Sequence, residues 1–150
     1  MNFFISHRGN IDGSKTEMEN HPIYIDNAIL SGYDVEIDIR LIDDVLYLGH
    51  DTPQYKINEE WLNKRKDKLW IHCKNKESVE YFHSMTKYNW FWHENDLLTL
   101  TSKGYIWAYP GKQPIKNSIA VLPEKFDDDV KKCVGLCSDN ILKYVNCNNG

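Results

Sequence analysis

The sequence has no long apolar run. No stretch approaches the roughly 20 residues that span a bilayer, so no membrane span is expected. It also has no basic leader. Met1-Asn2-Phe3-Phe4-Ile5 carries no positive stretch before its apolar residues, and Ser6, His7 and Arg8 break that run at once, unlike a signal peptide. A cytoplasmic location is the expectation. Positive charge is not in excess, since 18 Lys+Arg stand against 22 Asp+Glu, a formal net charge of −4. Affinity for a phosphate backbone needs clustered cations, so no nucleic-acid partner is expected. Cysteine is scarce. Cys73, Cys133, Cys137 and Cys147 form neither a C-x-x-C redox pair nor a zinc-finger spacing, and they read as reduced thiols. No internal repeat or low-complexity segment interrupts the chain.

What is present suits one globular domain over residues 1–150. The chain has 150 residues, 41% of them hydrophobic and 13% aromatic, enough to bury a core and too apolar for disorder. Short apolar runs punctuated by turn residues predict strands at 3–7, 34–41, 45–48, 69–73, 89–92, 105–108, 119–122 and 134–137. Helical stretches are predicted at 22–31, 58–67 and 76–86, with helical turns at 97–102 and 141–145 and a helix or turn within 124–132. Strands alternating with helices predict an α/β fold with a mainly parallel sheet.

Polar clusters fall at or near the strand ends: His7-Arg8, Glu36 with Asp38, His50-Asp51, and His72 with Lys74. Ligands of parallel α/β folds bind beyond the carboxyl ends of the strands. Glu36 and Asp38 lie two apart on a strand that alternates with Val35, Ile37, Ile39 and Leu41, so both carboxylates point the same way. If the apolar face covers helices, the carboxylates face a crevice, where like charges need cations or a metal. Alternation alone fits a solvent-facing strand equally well. His7 and His50 can serve as general acid and base, and Arg8 can grip a phosphate bidentately. His21, His83 and His93 read as surface or helix-flank residues. Trp90, Trp92, Trp107 and Tyr109 read mainly as core filling, with one or two at the mouth of a pocket.

The series Ile5-Ser6-His7-Arg8-Gly9, Glu19-Asn20, Asp34-Val35-Glu36-Ile37-Asp38, and Gly49-His50-Asp51 resembles the glycerophosphodiester phosphodiesterase family, within the barrel phosphodiesterases that include phosphatidylinositol-specific phospholipase C. The resemblance covers residues 3–51 and extends more weakly to Ile71-His72-Cys73-Lys74 and Gly135-Leu136-Cys137-Ser138-Asp139. It implies a (β/α)8 TIM-barrel-like fold and a phosphodiester hydrolase of lipid metabolism. The implied substrate is a small-molecule glycerophosphodiester or related phosphodiester. His7 and His50 would be the catalytic pair, Arg8 and Lys74 the phosphate ligands, and Glu36 and Asp38 the metal ligands, with Glu19 and Asp51 in support. The implied cofactor is a divalent metal, Mg²⁺ or Ca²⁺ first, Mn²⁺ or Zn²⁺ second.

Two departures stand out. His72 occupies the place of the family's third metal carboxylate, so the metal preference changes or another acid, such as Glu94 or Asp51, substitutes. The chain is also far shorter than the ~250 residues of a typical barrel, so a minimal barrel with shortened or missing helices in its second half is expected. That loss admits a homo-oligomer covering exposed apolar surface. Two other readings follow from the departures. One is a degenerate barrel that binds a phosphorylated ligand or protein partner without turnover. The other is a metal-independent cyclising lyase.

Overall fold

A computed structural model describes residues 1–148 of the chain. The first half alternates strands and helices: β1 (Phe3–His7), α1 (Pro22–Leu30), β2 (Asp34–Ile42), β3 (Val45–Leu48), β4 (Tyr55–Ile57), α2 (Glu59–Arg65), β5 (Leu69–Cys73) and α3 (Lys76–Phe82). The second half is nearly all strand: β6 (Asn89–Phe91), β7 (Leu98–Leu100), β8 (Ile106–Ala108), β9 (Ser118–Val121), a 3-10 turn at Pro123–Lys125, β10 (Gly135–Ser138) and α4 (Ile141–Asn148).

Local chemistry explains the boundaries. Pro22 opens α1, where a missing N–H costs nothing, and His21 Nδ1 accepts the Ile23 N–H as a cap. Asn58 caps α2 by accepting from Trp61. Asn75 and Ser78 cap α3 reciprocally. Asp43 and Asp44 both take positive φ and turn β2 into β3, the geometry that suits a tight hairpin.

Two local expectations need correction, and one strand was not foreseen. Residues 97–102 form no helical turn, because Leu98–Leu100 pairs antiparallel with β8 as a strand. An isolated turn of that length has no helical cooperativity, whereas an adjacent strand offers a ladder. Helix α3 stops at Phe82, and Met85 reaches the same apolar cluster from the following turn, so the three-residue spacing outlives the helix. Strand β4, only three residues long, has too short a pattern to read.

The sheet is ten-stranded among the described residues. Its parallel part runs β6-β5-β2-β1-β10-β9-β8, with β3 and β4 as an antiparallel extension of β2 and β7 antiparallel beyond β8. The result is a mixed α/β fold around a curled sheet. The curl brings its far ends together: the rings of Phe91 on β6 and Trp107 on β8 lie 4.6 Å apart. No strand ladder joins β6 to β8 among the described residues. Instead Ser102 donates its N–H to the Trp90 carbonyl at 2.7 Å, and Thr99 Oγ1 donates to the Trp92 carbonyl at 3.2 Å.

Alternation divides every strand between two environments. Val35, Ile37 and Ile39 of β2 face outward and are fully buried under Ile25 and Ala28 of α1, Leu62 of α2 and Phe82 of α3. The concave face holds a plug of Ile5, Trp70, Phe91, Trp107, Ile119 and Cys137. Two residues further along the same strands, towards their carboxyl ends, stand His7, His72, His93, Tyr109, Val121 and Asp139. The plug supports the site from below. No helix among the described residues is long and apolar enough to cross a membrane.

Candidate active site

A cavity of ≈ 220 Å³ opens above the plug, lined among others by His7, Arg8, Glu36, His50, His72 and His93. Its opposite wall is Trp107, Tyr109, Pro110, Val121 and Leu122, with Lys125 at the rim. A cleft of ≈ 250 Å³ lies on the other side of Arg8 and His50, lined by Thr16, Glu19, Asn20, Asp51, Thr52 and Gln54. Arg8 and His50 are therefore a shared wall between two spaces.

Glu36 and Asp38 do not face solvent. They are 2% and 0% exposed, on the concave side of β2. The two oxygens of Asp38 have different surroundings. Oδ2 accepts from Asn20 Nδ2 at 2.9 Å and meets Arg8 Nε at 2.9 Å, the latter an ion pair without the angle of a hydrogen bond. Asn20 completes a reciprocal pair by accepting the Asp38 N–H at 2.9 Å. Oδ1 is buried with no hydrogen bond, as is Glu36 Oε2. Burial opposes ionisation of Asp38, but His72, Arg8 and Asn20 together hold its carboxyl well below the usual range.

His72 completes this group. Its Nδ1 lies 3.3 Å from Asp38 Oδ1 and 3.7 Å from Glu36 Oε1. Its Nε2 donates to the His93 carbonyl at 2.9 Å, and its ring stacks on Phe91 at 4.8 Å. Burial works against the imidazolium, yet the two carboxylates raise its pKa to about 9. Glu36, Asp38 and His72 form a set of potential metal-ligand atoms, all within 4.8 Å of one another. Glu94 and Asp51 stay outside it. Glu94 is exposed, and the Asp51 carboxylate, 89% exposed, pairs with His50 instead.

The paired histidines are each backed by a carboxylate. His7 Nδ1 meets Asp139 Oδ1 at 2.6 Å, which directs Nε2 toward Glu36 Oε2, 3.9 Å away. Burial lowers the His7 pKa, but the Asp139 bond and the Glu36 charge outweigh it and the net shift is upward. His50 Nδ1 meets Asp51 Oδ1 at 2.7 Å. The loop carrying His50 is fixed from β2, because Arg40 donates to the carbonyls of both Gly49 and His50.

Glu19 organises the remaining polar groups. It accepts from Arg8 Nη1 at 3.0 Å, from Asn10 Nδ2 at 3.0 Å and from Ser14 Oγ at 2.9 Å. Asn10 also donates to Asp139 Oδ1 at 2.9 Å, so one amide ties the Arg8 support to the His7 support. Burial pushes the Glu19 pKa up, and these donors bring it below its ordinary value.

The site residues expected from the sequence are thus largely gathered. His7, Arg8, Glu36, His50 and His72 share one cavity, and Asp38, Glu19 and Asp51 contact them from behind or beside. Lys74 does not line the cavity, whereas Lys125 does. Three residues escaped the sequence reading of the site: His93, Lys125 and the role of Asp139. A signal for two of them exists. His93 follows Phe91, and Asp139 follows Cys137, with the same two-residue step that separates His7 from Ile5 and His72 from Trp70. Of the aromatics, Trp107 fills the plug and Tyr109 lines the cavity, while Trp90 packs on the helix side and Trp92 is exposed. Family models, curated proteins and solved structures give no match to this chain.

Proposed function

We propose that the chain is a metal-assisted phosphodiester hydrolase acting on small phosphodiesters such as glycerophosphodiesters, on a minimal (β/α)8-like barrel that keeps few helices in its second half. One observation carries the reading: two carboxylate-backed histidines, an arginine and Glu36 line one cavity, with Asp38 packed behind them and one oxygen of each carboxylate without a hydrogen bond. A lipid- or protein-binding pocket has no physical need for that combination. The shared wall adds support. A phosphodiester carries two arms on one phosphate, and Arg8 and His50 stand between two spaces of similar size.

The donor set fits a divalent cation. Arg8 and the His72 imidazolium partly balance the two buried carboxylates, and an ion that displaced the His72 proton would meet Asp38 Oδ1 and Glu36 directly. Glu36, Asp38 and His72 would hold it, and when bound it supplies charge neutralisation at the phosphate and a lowered pKa for an attacking water or hydroxyl. Arg8, already between Asp38 and Glu19, is held in a fixed orientation for the phosphate oxygens. Asp38, Glu36 and Glu19 act on Arg8 and offset its charge, so a divalent ion would add the positive charge that an anionic substrate needs. This favours the metal-assisted reading over the cyclising lyase.

Asp139 keeps the His7 ring oriented and favours its protonated form, which suits His7 to give a proton to the leaving alkoxide. His50, which lines the same cavity, would take the proton of the attacking group. Hydrolysis of bis(p-nitrophenyl) phosphate and a panel of glycerophosphodiesters by purified protein tests the proposal, with EDTA or added divalent ions. Metal-dependent turnover that His7→Ala and His50→Ala each lower by about 100-fold or more, with unchanged circular dichroism, is expected. Turnover that survives EDTA and yields a cyclic phosphate would move the reading to the lyase. Ligand binding without turnover under any ion would move it to a binding protein.

A further inference from the structure

The sequence resemblance puts Mg²⁺ or Ca²⁺ first, and the geometry of His72 points elsewhere. Its Nε2 is committed to the His93 carbonyl at 2.9 Å. That bond keeps a proton on Nε2 and turns Nδ1 toward Glu36 Oε1 and Asp38 Oδ1, so Nδ1 is the nitrogen that gives up its proton to an entering ion. A carbonyl or carboxylate on the far nitrogen is the arrangement that orients histidines which ligate metals. Stacking on Phe91 at 4.8 Å limits rotation of the ring. Asp38 is oriented in the same sense, because Asn20 and Arg8 engage Oδ2 and leave Oδ1 toward the group.

The separations suit a bound ion. His72 Nδ1 stands 3.3 Å and 3.7 Å from the two carboxylate oxygens, and all three ligand atoms lie within 4.8 Å of one another, close enough to share one ion. The ligand set is then two carboxylate oxygens and one imidazole nitrogen. Mg²⁺ and Ca²⁺ favour all-oxygen sets, whereas imidazole suits first-row transition ions.

We propose that Glu36, Asp38 and His72 Nδ1 form an O,O,N centre selective for Mn²⁺, Co²⁺ or Zn²⁺ over Mg²⁺ and Ca²⁺, with the His93 carbonyl as its positioning group. It rests on the same site as the proposed hydrolase and names the class of ion that site takes. The choice is made by His72, since the two carboxylates alone favour hard ions as readily.

Binding, not turnover, tests it. The chelator-treated protein is titrated calorimetrically with each of the five ions separately, beside His72→Glu and His72→Ala. Transition ions also bind many sites more tightly than Mg²⁺, so the decisive quantity is the change in preference on substitution. The native protein is expected to bind Mn²⁺ about 100-fold or more tightly than Mg²⁺, and His72→Glu to shrink that ratio at least about tenfold while still binding an ion. Pulsed electron paramagnetic resonance of the Mn²⁺-loaded protein is expected to show coupling to one imidazole nitrogen, absent in His72→Ala. Unfolding of either variant is excluded by circular dichroism, and the nitrogen coupling of the native protein stands without any variant. Equal preference in native protein and His72→Glu overturns the proposal, as does bound Mn²⁺ without nitrogen coupling, or no binding of any ion. A selective, nitrogen-coupled centre without phosphodiester turnover would leave the metal centre standing and remove the hydrolase. Turnover supported by Mg²⁺ with no nitrogen coupling would do the reverse.

Discussion

His7 and Asp139 meet at 2.6 Å across a sequence separation of 132 residues, joining the end of β1 to the turn after β10. The two strands are parallel neighbours with Ile5 beside Cys137, so the pair forms wherever that register does. It raises the His7 pKa against the effect of burial. Asp139→Asn removes that charge while keeping the shape. His7 is then expected to titrate at lower pH. As the group that must be protonated, it would be lost earlier as pH rises, so the alkaline limb of the pH–rate profile moves to lower pH. A fall in kcat of about 10- to 1000-fold is expected at neutral pH. An unmoved alkaline limb would show that His7 is not the acid.

Asp139 and Glu19 also make stability depend on pH. Both carboxyls have pKa values below their ordinary ones in the folded chain. The sign follows from linkage: their contribution is complete above the unfolded values near 4 and is lost as pH falls through the folded ones. Urea midpoints are expected to drop steeply below about pH 4. The drop should be shallower in Asp139→Asn. Parallel curves for the two proteins would mean that Asp139 gains no net stabilisation from His7 and Asn10.

Asn20 is expected to be as sensitive as any charged residue. Its amide exchanges two buried hydrogen bonds with Asp38, one of them to the carboxylate, and its backbone has φ 62°, a region asparagine tolerates better than most residues. Asn20→Ala leaves a buried carboxylate oxygen and a buried N–H short of partners. A cost of about 2–4 kcal/mol is expected, read as a fall in Tm of roughly 4–16 °C at 2–4 °C per kcal/mol. Asn20→Asp should be worse, because a second carboxylate would face Asp38.

Gly49 fixes the loop that presents His50. Its φ is 147°, and a Cβ there would lie 2.0 Å from the Thr52 carbonyl oxygen, a backbone atom that cannot swing aside. Gly49→Ala must displace either residue 49 or the turn at 52. Activity is expected to fall about tenfold or more with the core intact, since Leu48 remains anchored in the apolar cluster. Wild-type kcat/KM in Gly49→Ala would show that His50 does not need its present position.

Much of this site was legible because its chemistry sits in short contiguous motifs. Glu36 and Asp38 declare a shared face by their spacing, and His7-Arg8 and His50-Asp51 follow apolar strands. What alternation could not decide is which face of β2 is covered. Val35, Ile37 and Ile39 are buried against helices, and the carboxylates are buried as well, so both faces are interior. That requires a sheet curled on itself, a property of the whole chain. His93 and Lys125 were missed for a related reason. Each sits just beyond a short strand in the half that is nearly all strand, where no local pattern separates a pocket wall from a surface loop. Strand β7 was misread because its pairing with β8, not its own sequence, determines its conformation.

The meeting of β6 with β8 has a dynamic consequence. A seam held by a few isolated hydrogen bonds opens at lower free energy than a strand ladder, because fewer backbone hydrogen bonds break together. The Ser102 amide is expected to exchange its proton with solvent faster than those of β2 or β5. His72 and His93 hang from the β5–β6 lip of that seam, and Tyr109 from the β8 lip. Tyr109 also clasps across it, donating its hydroxyl to the Glu94 carbonyl at 2.5 Å. Opening of the seam would widen the mouth of the cavity while leaving the ladders of the strands that carry His7, Glu36 and Asp38 intact, a way to admit and release a ligand without a dedicated lid.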